Sequence, residues 1–587
     1  MKINLWDGGD FHCFYKVLLI GVLGVNAICF SAVRHEKPIK LFIFIIIKMN
    51  QMKVASFFLL FLSLVLATAQ ETPTDFLSAD FHQERRNKVR NLMTVNSVAI
   101  FFANAERNRA NDVDYIYHQD PDFYYLTGYK EPNSVLMIFS EDQTSADGRA
   151  FNELVYVQER DPRAEQWNGK RLGVNGVQEE LGFEMAFNGS EFEKSNINFK
   201  GFDNVLFFDF KNDYRDLKGT ADLFDLIKTF KIKTNYPSDY NATKQQIYSM
   251  ITSTDIENSA NVAQTLGRYL NNQDDLKSDQ LLTSYVNAED NGKRKEIQEK
   301  VMLELKSNNL NSVLLEEIMK TLRETKTAEE MVLLKKAVEI SAVGQIEVMK
   351  AMHPNMSETE IQGIHEYVYK KYGAEYEGYP SIVGGGNNGC ILHYIENNKQ
   401  KVGNELVLMD LGAEYHGYTA DVTRTIPANG KFTKEQKLIY DIVYNAQEAG
   451  IKASVVGAPF QAPGKAALEV VTKGLIDLGI ISSPSGAKTY FPHGTSHYLG
   501  LDVHDKGTYG PFQENTVITV EPGIYIPEGS NCDKKWWGIA VRIEDDILIT
   551  NSGPINLSGM APRTTEAIEK TMAMPSVLDS FTLPSLD

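Results

Sequence analysis

Cysteine is nearly missing from this chain. Four occur in 587 residues, and two of them, Cys13 and Cys29, fall before residue 70. Only Cys390 and Cys532 remain, which excludes a disulfide-stapled scaffold and leaves at most one bridge open. Neither has cysteine or histidine neighbours at zinc-finger spacing, so both read as structural thiols. Positive charge is also short. Lys and Arg total 59 against 77 Asp and Glu, a formal charge of −18. Residues 1–69 hold seven Lys/Arg and three Asp/Glu, so the rest of the chain stands near −22. So acidic a chain lacks the basic footprint of a nucleic-acid binder and does not favour an anionic membrane surface. No internal repeat, low-complexity tract or strand–GxGxxG–helix phosphate cradle is present.

What is there is globular. With 43% hydrophobic and 23% charged residues over this length, two or three domains are expected. Residues 1–69 read as a leader. Met52-Lys53-Val54 opens an apolar run over residues 56–66 that closes on Ala67-Thr68-Ala69 before Gln70. A basic start, a short apolar core and A-x-A make a secretory signal peptide, and the core is too short for a stable membrane anchor. Further apolar runs at 17–27 and 41–47 suggest an over-extended start with initiation at Met49 or Met52; the alternative is a membrane-anchored N-terminus. The expectation is an exported protein, periplasmic or secreted, beginning near Gln70.

Residues 70–240 read as an α/β domain: a charged helix over 81–92, then β-type runs at 97–102, 134–139, 154–158 and 205–210. An aromatic segment with Asp and Gly lies at 115–128. Residues 241–326 turn polar and helix-periodic with no strand signal, a helical insertion and linker. The last domain, 327–587, opens on the capping box Thr327…Glu330 with apolar positions Met331, Leu334, Val338 and Ile340, and a second helix follows at 357–372. Three glycines in residues 382–394 suit a tight loop presenting His393.

Five residues of this domain stand out. Asp410, Asp421, His497, Glu521 and Glu544 each sit in a short apolar or Gly-rich run, where a charge needs a partner. Four carboxylates and one imidazole form a hard, oxygen-rich set suited to one or two divalent metals. A hairpin over 405–426 brings Asp410 near Asp421; the bland alternative for Asp410 is a surface turn with an ion pair to Arg424. His493, His497 and His504 fall within twelve residues of a chain holding only 11 histidines. Glu521 ends a strand over 516–520. A strand over 539–549 puts Arg542 and Glu544 on one face, where metal ligation or an ion pair is required.

The strings NGCILHY, DLGAEYHGYTADVTRT, HGTSHYLGLDVHD, TVEPGIYI and RIEDD, within residues 388–546, together resemble the metal-dependent Xaa-Pro aminopeptidases (aminopeptidase P) and their relatives the prolidases. DFYYLTGYKEP and RDPRAEQWNGKRLG, at 122–132 and 160–173, extend the resemblance to most of the chain beyond the leader; residues 241–322 fall outside it. It implies an α/β fold with a C-terminal pita-bread domain behind a smaller α/β domain. It implies two divalent metal ions, Mn(II) by preference, on Asp410, Asp421, His497, Glu521 and Glu544, with Asp421 and Glu544 bridging. Metal-activated hydroxide would attack the carbonyl before proline, releasing the N-terminal residue of peptides with proline second. His393 would donate to the carbonyl oxygen, His504 would contact the proline side, and Glu521 would also shuttle a proton. His493 would line the proline pocket, with Tyr525 and Arg542 on the substrate side fixing ligand orientation. Asp122 and Trp167 lie in matching segments without an expected catalytic role. The implied partners are proline-containing peptides and further copies of the chain, a dimer or tetramer, with no nucleic acid and no membrane anchor after signal removal. A prolidase restricted to Xaa-Pro dipeptides and a metal-free binding protein on the same fold are the alternatives.

Overall fold

Dense Val, Ile and Phe runs build the first sheet. The computed structural model describes residues 75–145, 147–210, 222–580 and 583–584, so the expected leader and signal peptide lie outside the described residues. Its first eight strands are β1 (Ser97–Phe102), β2 (Asn108–Ala110), β3 (Val113–Asp114), β4 (Val135–Thr144), β5 (Ala150–Val157), β6 (Ala186–Asn188), β7 (Asn204–Phe207) and β8 (Leu310–Asn311). The strands β2 and β3 form a separate exposed hairpin. The other six make one mixed sheet in the order β6-β5-β4-β1-β7-β8. Alternation along the strands divides its side chains between two cores. Ala99, Phe101, Leu136 and Ile138 join the large core shared with the following domain, while Val98, Ile100, Val135 and Met137 face a second cluster.

The strand β8 corrects the reading of 241–326 as lacking strands. It pairs parallel with β7, so the helical segment is an excursion between two neighbouring strands of one sheet. Its two residues sit among Asn and Ser, and only tertiary pairing makes them a strand. The Asn309 amide donates to the Phe199 and Phe202 carbonyls, and the Tyr240 hydroxyl donates to Ser312 Oγ at 2.8 Å where the excursion opens and closes. Helices Ala242–Ser253, Ser259–Leu270, Gln280–Val286 and Asn291–Leu305 pack a small core of their own around Ile251, Leu266, Leu282 and Tyr285.

The last domain begins as the capping box predicts. Thr327 N–H donates to Glu330 Oε2 at 2.8 Å and Glu330 N–H to Thr327 Oγ1 at 3.3 Å, opening helix Ala328–Ala351. Its strands are β9 (Tyr376–Glu377), β10 (Ile382–Gly385), β11 (Leu406–Asp410), β12 (Ala413–Tyr415), β13 (Tyr418–Thr419), β14 (Thr423–Pro427), β15 (Val517–Val520), β16 (Gly523–Ile526), β17 (Ile539–Arg542), β18 (Asp545–Thr550) and β19 (Gly553–Asn556). They form antiparallel sheets β10-β11-β14, β13-β12-β9, β15-β18-β19 and β16-β17. Three expectations change in detail. The hairpin around Asp410 is a ladder of β11 with β14, whose connection folds into the smaller β12–β13 pair. The single strand expected over 539–549 is two strands in different sheets, because Ile543 N–H turns to Pro522 O and Glu544 N–H to Thr423 O. Two of the three clustered glycines lie in β10, and a Cβ on Gly384 would meet Gly389 N at 2.7 Å. The short 3₁₀ turn Gly386–Cys390 follows, and His393 comes three residues later.

Cys390 and Cys532 are both free. Among the described residues, no helix is long and apolar enough to cross a membrane.

Candidate metal centre

The strand ends deliver the charged residues to one place. Asp410 is the last residue of β11, Asp421 lies just before β14, Glu521 follows β15, and Glu544 occupies the break between β17 and β18. His497 is carried on the long loop before β15, paired through Tyr498 to Ile518. A cavity of about 570 Å³ gathers nine of the ten predicted site residues on its wall: His393, Asp410, Asp421, His493, His497, His504, Glu521, Arg542 and Glu544. The tenth, Tyr525, stands behind that wall. Its hydroxyl takes a hydrogen bond from Arg542 Nη1 at 2.9 Å and meets His493 Nε2 at 2.8 Å. Apolar Ile382, Leu392, Ile395 and Val503 also line it, together with Tyr379, Pro380, Gly494 and Ser496.

Asp421, His497 and Glu544 form the tightest cluster, each offering a ligand atom within 4.8 Å of the others. His497 Nε2 lies 3.4 Å from Asp421 Oδ2 and 3.6 Å from Glu521 Oε1, while Nδ1 is 3.0 Å from the Tyr498 carbonyl. That carbonyl can only accept, so Nδ1 carries the proton and Nε2 is left to face the carboxylates. Asp410 is tied back by Arg542, whose Nη2 lies 2.5 Å from Oδ2. The ion pair to Arg424 does not form, because Arg424 is wholly buried against Asp545 at 2.7 Å.

The electrostatics of this set call for a cation. Burial first, and then the charges of Asp421, Glu521 and Asp410, push Glu544 well above the usual carboxylate range. Burial likewise lifts Glu521 to about 7, and burial with the Asp410 charge raises Asp421. Burial opposes ionisation of Asp410 too, but Arg542 and the Tyr379 hydroxyl hold it below the ordinary value. Burial would lower His497, yet its hydrogen bond to Asp421 and the charge of Glu521 raise it to about 9. A buried cluster in which three carboxylates resist ionisation, built from oxygen donors and one imidazole, suits divalent ions.

Three further participants were not singled out as site residues in the sequence. The Tyr379 hydroxyl lies 2.6 Å from Asp410 Oδ1 and 2.5 Å from Asp421 Oδ1, and it belongs to an ordinary Gly-Tyr-Pro turn. The Thr423 hydroxyl donates to Glu544 Oε2 at 2.6 Å. Asp546, fully buried, accepts the Asp421 N–H at 3.2 Å, and its Oδ1 has no hydrogen-bond partner among the described residues.

Residues 332–551 match the model of metallopeptidase family M24, and residues 82–200 match the aminopeptidase P N-terminal domain. The Xaa-Pro aminopeptidase of Escherichia coli (strain K12) is 31% identical over 509 residues, covering 84% of this chain and 98% of its own length. The Xaa-Pro aminopeptidase 3 of Rattus norvegicus is 28% identical over 490 residues, covering 81% of each chain. Among solved structures, aminopeptidase P from E. coli with the inhibitor Pro-Leu superposes with a TM-score of 0.66 at 30% identity, covering 85% of this chain and 98% of that one. The Zn-substituted E. coli aminopeptidase P in complex with product also gives 0.66. Sequence, pita-bread fold and site chemistry agree: the chain belongs to metallopeptidase family M24, as a metal-dependent hydrolase that carries the aminopeptidase P N-terminal domain.

Proposed function

We propose that this protein is an exported aminopeptidase that removes the N-terminal residue from peptides with proline in second position. What carries the reading is the composition of one cavity wall, where an apolar side meets four imidazoles and the buried carboxylate cluster. Asp410, Asp421, His497, Glu521 and Glu544 would hold two divalent ions, Mn(II) by preference. When bound, these would supply Lewis acidity and a water of lowered pKa.

The remaining tasks fall to the chain itself. An Xaa-Pro bond is a tertiary amide with no N–H to grip, so recognition must come from the carbonyl and the ring. His393 is exposed to the cavity and is assigned as donor to that carbonyl oxygen. Burial and the nearby His497 lower His504, leaving it neutral at neutral pH and able to donate on the proline side without bringing in charge. His493, lowered to about 4 mainly by burial, is neutral as well and lines the proline pocket. The departing proline nitrogen needs a proton, and Glu521, on the cavity wall with Oε1 3.6 Å from His497 Nε2, is the carboxyl assigned to shuttle it. Arg542 and Tyr525 fix Asp410 and His493 in orientation.

Hydrolysis of Xaa-Pro-Xaa tripeptides against Xaa-Pro dipeptides tests the reading. Cleavage of tripeptides with release of the first residue is expected; cleavage of dipeptides alone would make the protein a prolidase. Metal-stripped protein should regain activity with Mn(II). Export rests on the signal-like residues 52–69, and fractionation of the producing cell checks it. A homo-oligomer, dimer or tetramer, would cover the exposed Trp167, Tyr115 and Ile116, and light scattering measures its mass.

A further inference from the structure

Beside the cavity the chain buries a second set of charges that the reaction above does not use. Asp122 sits on helix Pro121–Thr127 of the N-terminal domain, and Arg323 and Glu316 lie on helix Leu314–Glu324. Lys326 follows that helix. Asp505 and Lys506 come directly after His504. Arg323 grips both domains at once: Nη1 lies 2.7 Å from Asp122 Oδ1 and Nη2 bonds Asp505 Oδ1. Lys326 Nζ lies 3.0 Å from Asp505 Oδ2. Lys506 Nζ reaches Asp122 Oδ2 at 3.0 Å and Glu316 Oε2 at 2.5 Å. Three cations thus meet three carboxylates, and Asp122, Arg323, Lys326 and Asp505 are each no more than 5% exposed. Buried ion pairs are a poor source of stability against a well-packed apolar alternative, because desolvation takes back most of the attraction. What such a set does well is fix geometry.

The geometry it fixes is that of the histidine loop. The Asp505 N–H donates to the Tyr498 carbonyl at 3.0 Å, the same oxygen that holds His497 Nδ1. One carbonyl therefore links the tautomer of a ligand histidine to the residue that the charge cluster clamps. The rings of His497 and His504 meet edge to face at 4.4 Å, so a shift of either moves the other. The loop is pressed against the clamp so closely that a Cβ on Gly500 would lie 2.1 Å from Asp505 Oδ2 and 2.7 Å from Lys326 Cε.

We propose that Asp505, clamped by Arg323 and Lys326, is a positioning residue for His497 and His504, and that Asp122 ties the N-terminal domain to the same clamp. The proposal rests on the reading of the cavity as a peptidase centre. Its test is the nearly isosteric D505N in the full chain, followed by kcat and KM on an Xaa-Pro-Xaa tripeptide, Mn(II) affinity by chelator competition, and amide hydrogen exchange. The expected result is a kcat lower by about tenfold or more, a KM within about threefold, and Mn(II) affinity weaker by about tenfold. Exchange should quicken across residues 494–506 and nowhere else. D122N should give a smaller kcat loss with faster exchange in 121–127 as well. Wild-type kcat and exchange in folded D505N overturn the proposal, and so does an activity loss matched by faster exchange throughout the chain, the mark of a merely structural role. If D505N does not fold, R323K, which keeps the charge and loses the fork, carries the same test with the same overturning results. If the wild-type protein itself cleaves no Xaa-Pro peptide, the peptidase reading fails, while exchange and Mn(II) affinity still decide on the clamp.

Discussion

Tyr379 is uncharged, yet its one hydroxyl is shared between Asp410 and Asp421. Two buried carboxylates held that close need a donor or a cation between them. Tyr379→Phe should leave the fold intact and weaken Mn(II) binding by about tenfold, as loss of a residue supporting metal ligands commonly does; chelator competition measures it. Glu544→Ala should abolish peptide hydrolysis and lower the bound metal, since Glu544 belongs to the tight cluster of candidate ligands with Asp421 and His497, and turnover at the wild-type rate would contradict the proposed two-ion site. The carboxylates also give a pH signature. Without metal, folded Glu521 keeps its proton to about pH 7, whereas an unfolded glutamate loses it near 4.5. The folded state then holds the extra proton between those values, so metal-free protein loses stability as pH rises through that window. The gap in melting temperature between Mn(II)-loaded and stripped protein should widen from pH 5 to pH 8. At this scale the charged residues were legible because a carboxylate in an apolar run is costly wherever it lies. Tyr379 and Thr423 were not, because a hydroxyl is unremarked until its neighbours are known.

At the scale of elements, the break between β17 and β18 does what a continuous strand could not. Glu544, Asp545 and Asp546 are consecutive and all buried, yet they meet the Thr423 hydroxyl, the Arg424 guanidinium and the Asp421 N–H respectively. Period-two alternation correctly put Arg542 and Glu544 toward one site but could not show the chain changing sheets, because the hydrogen bonds that turn it go to Pro522 and Thr423, far away in sequence. Asp545→Ala would strand the wholly buried Arg424 and should cost about 3–5 kcal/mol of stability, read as a lower melting temperature. Gly412 lies between β11 and β12, where a Cβ would fall 1.7 Å from the Ala420 carbonyl oxygen. Gly412→Ala therefore has to move the backbone joining Asp410 to Asp421. It should cost about 1–3 kcal/mol or more, and activity should fall with it.

Across the whole molecule, acid finds two buried histidines. Burial lowers His82 to about 4 and His365 to about 3, and neither ring nitrogen of His365 has a partner among the described residues. An unfolded histidine takes its proton near 6.5 while these refuse it, so each removes about 1.4 kcal/mol of stability per pH unit as pH falls from 6.5 toward its folded value. His365→Leu should flatten that acid limb in melting curves recorded between pH 4 and 7. The β-runs at 97–102 and 134–139 and the helix opened by Thr327 were readable from strand and helix signals alone. The true character of the helical segment was not, because β8 is two residues long and polar in company. Its ends meet where Tyr240 bonds Ser312, 72 positions apart in sequence, and the helices between them keep their own core. Such a pair of neighbouring ends is a grafting point. A foreign domain with adjacent termini, spliced in place of the helices, would ride on the enzyme as cargo without asking anything of the residues that do the chemistry.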